Sequence, residues 1–453
     1  MSTALVVGLA ETGCAVARRL RAEGWDVVVT EDRPGGDSYA ARAASVARLG
    51  ATIVEAPSGE RYARLVEGAA VVVPSPLVRP THPVIGAARA AGVPVRSEID
   101  LAGERARVPI VAVTGTNGKT TVTTVAAAML VASGRRALAA GNIGRPLIDA
   151  VADECDVLVA EVSSFQLAFA ETFRPRVAVL LGIAEDHLDW HGDFAHYVAS
   201  KARVFEHQRD GDLLVFDGDD EIAARTAQAA PARRVAVTTR APVAYADAFH
   251  LDGGALRTPD GRVIAQLGEL RRALAHDVTN ALAAAAAVLE VGATADGVRD
   301  ALRSHTTLPH RVAFVGEHGG VQYYDDSKAT NPHATLHAVA SFESVVLLAG
   351  GRNKGLDLRA LRAAAGNVRH VVAFGEAARE VATAFEGLRP VVTVRTMREA
   401  VRAAASTARP GDVVLLSPAC ASFDAYPSYA ARGDDFAAEV RALQTGVGGT
   451  RVP

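Results

Sequence analysis

The sequence predicts an α/β protein of three domains: a Rossmann-like N-terminal domain, a central domain around a phosphate loop, and a Rossmann-like C-terminal domain. Three observations carry this prediction. Short apolar runs alternate with segments of helical spacing along the whole chain, the pattern of parallel sheets covered by helices. Runs such as VQYYDDS, VVLLAGG and HVVAFG end in Gly, Ser or Asp, where ligands sit at the carboxyl edge of an open sheet. A chain of 453 residues is also too long for one hydrophobic core.

The first hundred residues alternate strand and helix. ALVVG reads as a strand, GCAVARRLRAEG as a helix, WDVVVTED as a second strand, and AAVVVPSP as a strand ending at proline. The first turn, Gly8-Leu9-Ala10-Glu11-Thr12-Gly13, is a G-x-G-x-x-G whose middle glycine is Ala10. Glu31 and Asp32 close the second strand, where a dinucleotide fold places its ribose-binding carboxylate. That spacing suggests a nicotinamide or flavin enzyme. Ala10 argues against it, because the middle glycine lets a pyrophosphate approach the backbone. A Rossmann-like domain for another nucleotide fits better.

Ile110 to Val113 reads as a buried strand. Gly115-Thr116-Asn117-Gly118-Lys119-Thr120 follows, and then a helical segment of small and apolar residues. Strand, glycine loop and helix make a phosphate cradle, with inward N–H groups and the positive end of the helix dipole. Lys119 would reach terminal phosphates, and the Thr120 hydroxyl would ligate Mg²⁺. Val113 stands where the full P-loop pattern has its first glycine, so the loop is a shortened one. An ordinary glycine turn is the alternative, and the Gly-Lys-Thr ending argues against it.

Further strands are expected at DVLVAEVSS, RVAVLLGI and DLLVFDGD. A polar stretch from about residue 235 to 270 carries short strands and glycine turns, and the helix TNALAAAAAVLEVG closes this region. After Leu308-Pro309-His310-Arg311 come strands VQYYDDS, VVLLAGG, HVVAFG, VVTVR and DVVLLSPA. The last residues, TGVGGTRVP, read as a frayed tail.

Composition narrows the function. Hydrophobic residues make up 49% and charged residues 22%, as in ordinary soluble domains. The net charge of −3 gives no electrostatic case for nucleic acid or an anionic membrane. Cys14, Cys155 and Cys420 stand far apart, which excludes a C-x-x-C zinc or redox motif and suits a reducing cytoplasm. No signal segment is expected, and only the alanine-rich helix near residue 281 approaches the length of a membrane span.

Nine motifs in order complete the reading: TGTNGKTT, GNIG, EVSSFQL, EDHLD, the helix around Lys201, LPHR, DDSKATNP, AGGRNKG and LLSPACASFD. By them the chain resembles the Mur ligases of peptidoglycan synthesis over nearly its whole length. EVSSFQL and DDSKATN point to the branch that adds D-glutamate. The resemblance implies residues 1–106 as a UDP-sugar-binding Rossmann-like domain and 107–307 as a P-loop-type ATPase domain for ATP and Mg²⁺. Residues 308–453 would be a Rossmann-like domain closing on ATP and the amino acid.

The implied reaction explains the residue types. ATP phosphorylates the carboxylate of UDP-N-acetylmuramoyl-L-alanine. The amine of D-glutamate attacks the acyl phosphate, and the tetrahedral adduct expels phosphate. Bringing a carboxylate to a triphosphate costs about 4 kcal/mol per charge pair at ~4 Å and an effective dielectric of ~20, so cations are needed. The resemblance assigns the ATP site to Gly115, Thr116, Asn117, Gly118, Lys119, Thr120, Thr121, Asn280, Arg311, Asp326 and Lys328. It assigns catalysis to Lys119, Glu161, His187 and Lys201, and two Mg²⁺ ions to Thr120, Glu161, His187 and Lys201, the lysine as a CO₂-derived carbamate. Thr12, Asp32, Arg33, Ser75, Asn142 and His187 would hold the UDP-sugar substrate. Thr330, Lys354, Ser422, Phe423 and Tyr429 would hold glutamate.

Each residue has a blander alternative: a surface carboxylate for Glu161, an exposed helical cation for Lys201, a solvated loop lysine for Lys354. Two positions depart from the family. Asp277 puts a charge where an amide is usual near the nucleotide, and Leu77 replaces the glycine of a Ser-Pro-Gly turn. Rival readings are a ligase adding L-glutamate or another amino acid, a nicotinamide oxidoreductase, and a non-catalytic nucleotide-binding regulator. Folylpolyglutamate synthases share the resemblance but lack a domain ahead of the phosphate loop, and here about 100 residues precede it. The expected partners are small molecules, with the enzyme a cytoplasmic monomer.

Overall fold

A computed structural model describes residues 2–241, 243–304 and 308–444. The anticipated tail, 445–453, and the boundary residue Thr307 lie outside the described residues. The strands form three sheets. The first holds β1 (Thr3–Val7), β2 (Asp26–Glu31), β3 (Thr52–Glu55) and β4 (Val71–Pro74), all parallel, in the order β3-β2-β1-β4.

The second holds β5 (Ile110–Thr114), β6 (Ala137–Gly141), β7 (Val157–Glu161), β8 (Val177–Leu180), β9 (Leu213–Asp217), β10 (Arg233–Thr238), β11 (Ala248–Asp252), β12 (Ala255–Arg257) and β13 (Val263–Gln266). Its order is β13-β12-β11-β10-β9-β8-β5-β7-β6. It is parallel except at β12 and β13, which close the polar stretch as antiparallel hairpins.

The third holds β14 (Ala313–His318), β15 (Val321–Asp325), β16 (Val345–Gly350), β17 (Val368–Phe374), β18 (Val391–Thr393) and β19 (Val413–Ala419). Its order is β14-β15-β19-β16-β17-β18, with only β14 antiparallel. All three sheets have their middle strands covered on both faces. β5, β7, β16 and β19 are buried at every residue, which is why they read as continuous apolar runs rather than alternating ones.

Contacts divide the chain into two compact units. The first takes residues up to 183, 190–273 and 277–304, and so contains the first two sheets. Its core includes Val6, Val29, Ile99 and Leu158 in one cluster and Val111, Val122, Val179 and Leu282 in another. The second unit takes 184–189, 274–276 and 308–444, with Leu347, Val371 and Leu415 packed on one face of its sheet and Leu348, Val414 and Phe436 on the other.

Several elements exceed the sequence reading: it names neither β3 nor β14, and it misses two others. β6 is ALAAG, a poor strand former by composition, and it is held by parallel pairing along the whole of β7. The alanine-rich helix, Ala275–Glu290, is followed by another, Ala295–Ser304, which buries Val298, Ala301 and Leu302 at helical spacing. Among the described residues no helix is long and apolar enough to cross a membrane.

Candidate active site

In the first unit the site begins where β5 ends. Gly115 has φ +148 and Gly118 has φ +83. A Cβ on Gly115 would lie 2.6 Å from the Cβ of Leu181, and one on Gly118 2.5 Å from Oδ1 of Asn280. Only glycine fits either position. The helix Lys119–Ala132 starts directly after Gly118, which puts the positive end of its dipole at the loop. Thr116 pins the loop: its N–H donates to Gly182 O at 2.9 Å, and its hydroxyl shares a hydrogen bond of 3.0 Å with the Tyr197 hydroxyl.

Two lysines converge here. Lys119 Nζ donates to Gly115 O and Thr116 O, each at 3.0 Å. Lys201, on the helix Phe194–Glu206, is only 1% exposed and donates to the same Gly115 O at 2.6 Å. Its ammonium lies 4.6 Å from the centre of the Tyr197 ring. The structure thus sets aside the exposed-lysine reading.

β7 runs beside β5, with Glu161 opposite Val113. The Glu161 side chain is buried. Its Oε1 accepts from Asn142 Nδ2 at 2.9 Å, while Oε2 is buried without a hydrogen-bond partner. An unsatisfied buried carboxylate oxygen costs about 1–3 kcal/mol or more, and such an atom suits a cation. Among the described residues, no group of three or more His, Cys, Asp or Glu could hold a metal. A hard ion ligated by few side chains and by phosphate oxygens is compatible with that. Thr120 and Thr121 open the helix, and Asn117 lies within the loop. In EVSSFQL, the Ser163 N–H and hydroxyl donate to Gln166 Oε1 at 2.9 and 3.0 Å. Gln166 in turn faces Glu98, whose Oε1 accepts from the Ile148 N–H at 2.7 Å. Burial pushes the Glu98 carboxyl up to about 7.

The N-terminal residues form a separate group around the first turn. Ser75 Oγ donates to Gly8 O at 3.2 Å. Asp32 accepts from the Tyr62 hydroxyl and pairs with His82 Nε2 at 2.8 Å. Burial raises the Asp32 carboxyl, and the hydrogen bonds from Tyr62 and His82 outweigh it, leaving it below its ordinary value. Glu31, rather than Asp32, reaches back to the turn: its Oε2 accepts from the Leu9 N–H at 2.9 Å and its Oε1 from the Arg33 N–H at 3.1 Å. Thr12 sits in the first turn of the helix Glu11–Ala22. Leu77 is 76% exposed, and its carbonyl accepts from Trp190 Nε1 at 3.3 Å. Asp277 is not an isolated charge: Arg272 binds it through two hydrogen bonds, at 2.6 and 2.7 Å.

In the second unit the centre is Asp186, a residue of the EDHLD motif for which the sequence suggests no role. It is 6% exposed and accepts from Lys354 Nζ at 2.7 Å and Asn331 Nδ2 at 3.0 Å. Burial raises its carboxyl, and Lys354 and His187 more than offset that, holding it below the usual range. Lys354, expected to meet a substrate carboxylate, here pairs with a carboxylate of the chain. His187 has φ +54 and places Nε2 3.6 Å from Asp186.

Asp326 accepts from Ser417 Oγ at 2.8 Å and from the Val312 N–H at 3.3 Å. Burial lifts it to about 7 against these bonds and the charge of Arg311. Lys328 Nζ lies 3.9 Å over the Tyr429 ring. Thr330 is half-buried, Ser422 buried, and Phe423 64% exposed. Sequence reasoning also passed over Arg432. It is fully buried and donates to Ser327 Oγ at 2.9 Å, Ser327 O at 2.8 Å, Cys420 O at 3.1 Å and Ala421 O at 3.3 Å. Burial lowers its pKa to about 10. It thereby ties the DDSKATNP loop to LLSPACASFD. An arginine three residues beyond Tyr429 carries no local signal of that role.

Comparison with known proteins agrees with these motifs. The Mur ligase middle domain profile matches residues 113–288, and the profile described as Mur ligase, glutamate ligase domain matches 310–420. The UDP-N-acetylmuramoylalanine--D-glutamate ligase of Desulfosudis oleivorans is 41% identical over 98% of this chain and 96% of its own length. The ligase of the same name from Geobacter metallireducens is 41% identical over 98% of both chains. In fold, the chain is similar to MurF from Acinetobacter baumannii, with a TM-score of 0.58 at 16% identity over 91% of this chain and 89% of that one.

Proposed function

The chain belongs to the Mur ligase family, and from that premise we propose that it joins D-glutamate to UDP-N-acetylmuramoyl-L-alanine at the expense of ATP. It is an ATP-dependent amide-forming ligase of peptidoglycan precursor synthesis. The observation that carries the chemical reading is the pairing of the Gly115–Thr120 loop with the unsatisfied Glu161 Oε2 on the adjacent strand. We divide the chain at 1–106, 107–307 and 308–453 into UDP-sugar, ATP and amino-acid domains, and take it to act as a cytoplasmic monomer on small-molecule substrates.

In this reading the loop N–H groups and Lys119 neutralise the triphosphate, where charge builds during transfer. Thr120, Glu161 and His187 would hold Mg²⁺, which when bound supplies the remaining positive charge between carboxylate and phosphate. Asn142 keeps one Glu161 oxygen aligned. Thr12, Asp32, Arg33 and Ser75 would bind the UDP end of the sugar substrate. Asn280, Arg311, Asp326 and Lys328 would bind the nucleotide. Thr330, Lys354, Ser422, Phe423 and Tyr429 would hold glutamate, with Lys354 exchanging Asp186 for a substrate carboxylate.

Lys201 is assigned as a carbamate: its neutral amine adds to CO₂, forming the N–C bond and releasing one proton. Two ammonium groups on one carbonyl oxygen repel each other, and conversion of one to an anion reverses that sign. Lys201→Ala is then nearly inactive and partly rescued by small carboxylates. Full activity without them excludes the carbamate.

The test of the main reading is ATP-dependent phosphate release with UDP-N-acetylmuramoyl-L-alanine and matched D- or L-glutamate. Release with D-glutamate only is the expected result. Faster release with L-glutamate keeps the ligase class and overturns the stereochemistry. One unmade charge-assisted hydrogen bond is enough for a discrimination of about thirtyfold.

A further inference from the structure

We propose that His333 and His337 form a two-point site for a borderline transition-metal dication such as Zn²⁺ or Ni²⁺, separate from the Mg²⁺ ligands assigned above. The two residues lie four apart on the helix Pro332–Val339, so both imidazoles project from one face. Their Nε2 atoms are 3.2 Å apart, with ring centroids 4.4 Å apart and planes at 62°. Two metal–nitrogen bonds of ~2.05 Å spanning that gap enclose an angle of roughly 100°, close to the tetrahedral value. The separation thus suits one shared ion as well as one shared proton.

The chemistry of the pair points the same way. Neutral imidazole favours Zn²⁺, Ni²⁺, Cu²⁺ and Co²⁺, whereas Mg²⁺ takes oxygen ligands. His333 is half-buried, with its ring edge-on to that of His337. His337 is exposed and gives the ion an entry path.

Among the described residues a second close imidazole pair, His191 and His196, differs. Its Nδ1 atoms are also 3.2 Å apart, but His191 is buried, with Nε2 engaged to Ser164 Oγ at 3.0 Å. The His333 helix is capped by Asn331, whose Oδ1 accepts from the Ala334 N–H at 2.8 Å while its Nδ2 donates to Asp186. An ion on His333 and His337 therefore braces the first turns of the helix that follows Thr330.

Titration calorimetry of the untagged full chain with NiCl₂ or ZnCl₂, in excess MgCl₂, tests the site. The wild type is expected to take up one equivalent, with a rise in its melting temperature. His337→Ala, at an exposed position, weakens this binding at least about tenfold and removes the thermal shift. His333→Ala does the same, and His196→Ala leaves both intact. An unchanged isotherm in His337→Ala, a loss in His196→Ala alone, or abolition by magnesium would overturn the proposal.

Discussion

At the end of β5 the geometry is set by the backbone. Gly115 and Gly118 adopt conformations closed to other residues, a helix begins at once, and the polar side chains mostly bond to loop carbonyls. At the ends of β15, β16 and β19 the geometry is set by side chains. Arg432 ties two loops together by their carbonyls, and Asp186 gathers Lys354 and Asn331 from two further segments. The backbone-built site takes its shape from a few adjacent residues, although Tyr197 and Lys201 reach the loop from 81 and 86 positions away. A side-chain-built site depends on partners up to 168 positions apart. The first kind fails in its chemistry when one residue changes, the second in its stability and its positioning.

The sharpest way to break this contrast is Lys119→Ala. Removing the cation proposed to meet the phosphates lowers phosphate release about a thousandfold, as loss of a preorganised charge does. The melting temperature changes little, because Lys119 donates to carbonyls of its own loop, Gly115 O and Thr116 O. Near-normal turnover, or a collapse of stability, would show that the loop is not the self-contained cradle described above.

Arg432→Lys tests the other half. Lysine keeps the charge but not the planar fork that serves several acceptors at once. Leaving buried carbonyls unsatisfied costs about 3 kcal/mol, read as a lowered midpoint in denaturant unfolding. Activity per folded molecule falls mainly through KM for glutamate. A variant as stable as the wild type would mean that the loops are held by other means.

This difference also decides what was legible in the sequence. Most parallel strands were legible because burial on both faces writes a continuous apolar run; β3, a short strand of TIVE buried only at Val54, was not. β6 was not, since its alanines gain strand structure only by pairing with β7. The Gly115–Thr120 loop was legible because its geometry forces residue types within six positions. Asp186 and Arg432 were not, because a buried charge is defined by what surrounds it in space. Glu31 was noticed at the end of β2 but not chosen over Asp32: strand position is visible in sequence, while the hydrogen bond to Leu9 is not.

Asp186→Asn gives a smaller effect. It keeps the shape beside Asn331 and removes the partner charge of Lys354. The expected outcome is a rise of about tenfold in KM for glutamate with KM for ATP little changed, from loss of one partly buried charge pair. Equal rises in both constants would indicate general loosening rather than positioning of Lys354.

The smallest effect is expected from Glu98→Gln, and its value is that it is read in pH. Burial lifts the Glu98 carboxyl from 4.5 to about 7. Between those values the folded chain holds a proton that the unfolded chain has released. Stability from this group is therefore complete below about pH 4.5 and is lost as pH rises through about 7. The loss amounts to at most about 3 kcal/mol, at ~1.36 kcal/mol per pKa unit. Glutamine cannot ionise, so it escapes the loss. It keeps an acceptor for the Ile148 N–H but turns an N–H group toward Gln166 Nε2, which costs about 1 kcal/mol. Thermal unfolding should find the variant equal to or slightly below wild type at pH 5 and more stable at pH 8, by about 1–2 kcal/mol. Asp326 is likewise raised to about 7, but it is common to both proteins and cancels in the difference. A variant less stable than wild type at pH 8 would mean that Glu98 works as an anion. The first unit would then rest on a buried charge network as the second does, and the contrast between them would fall.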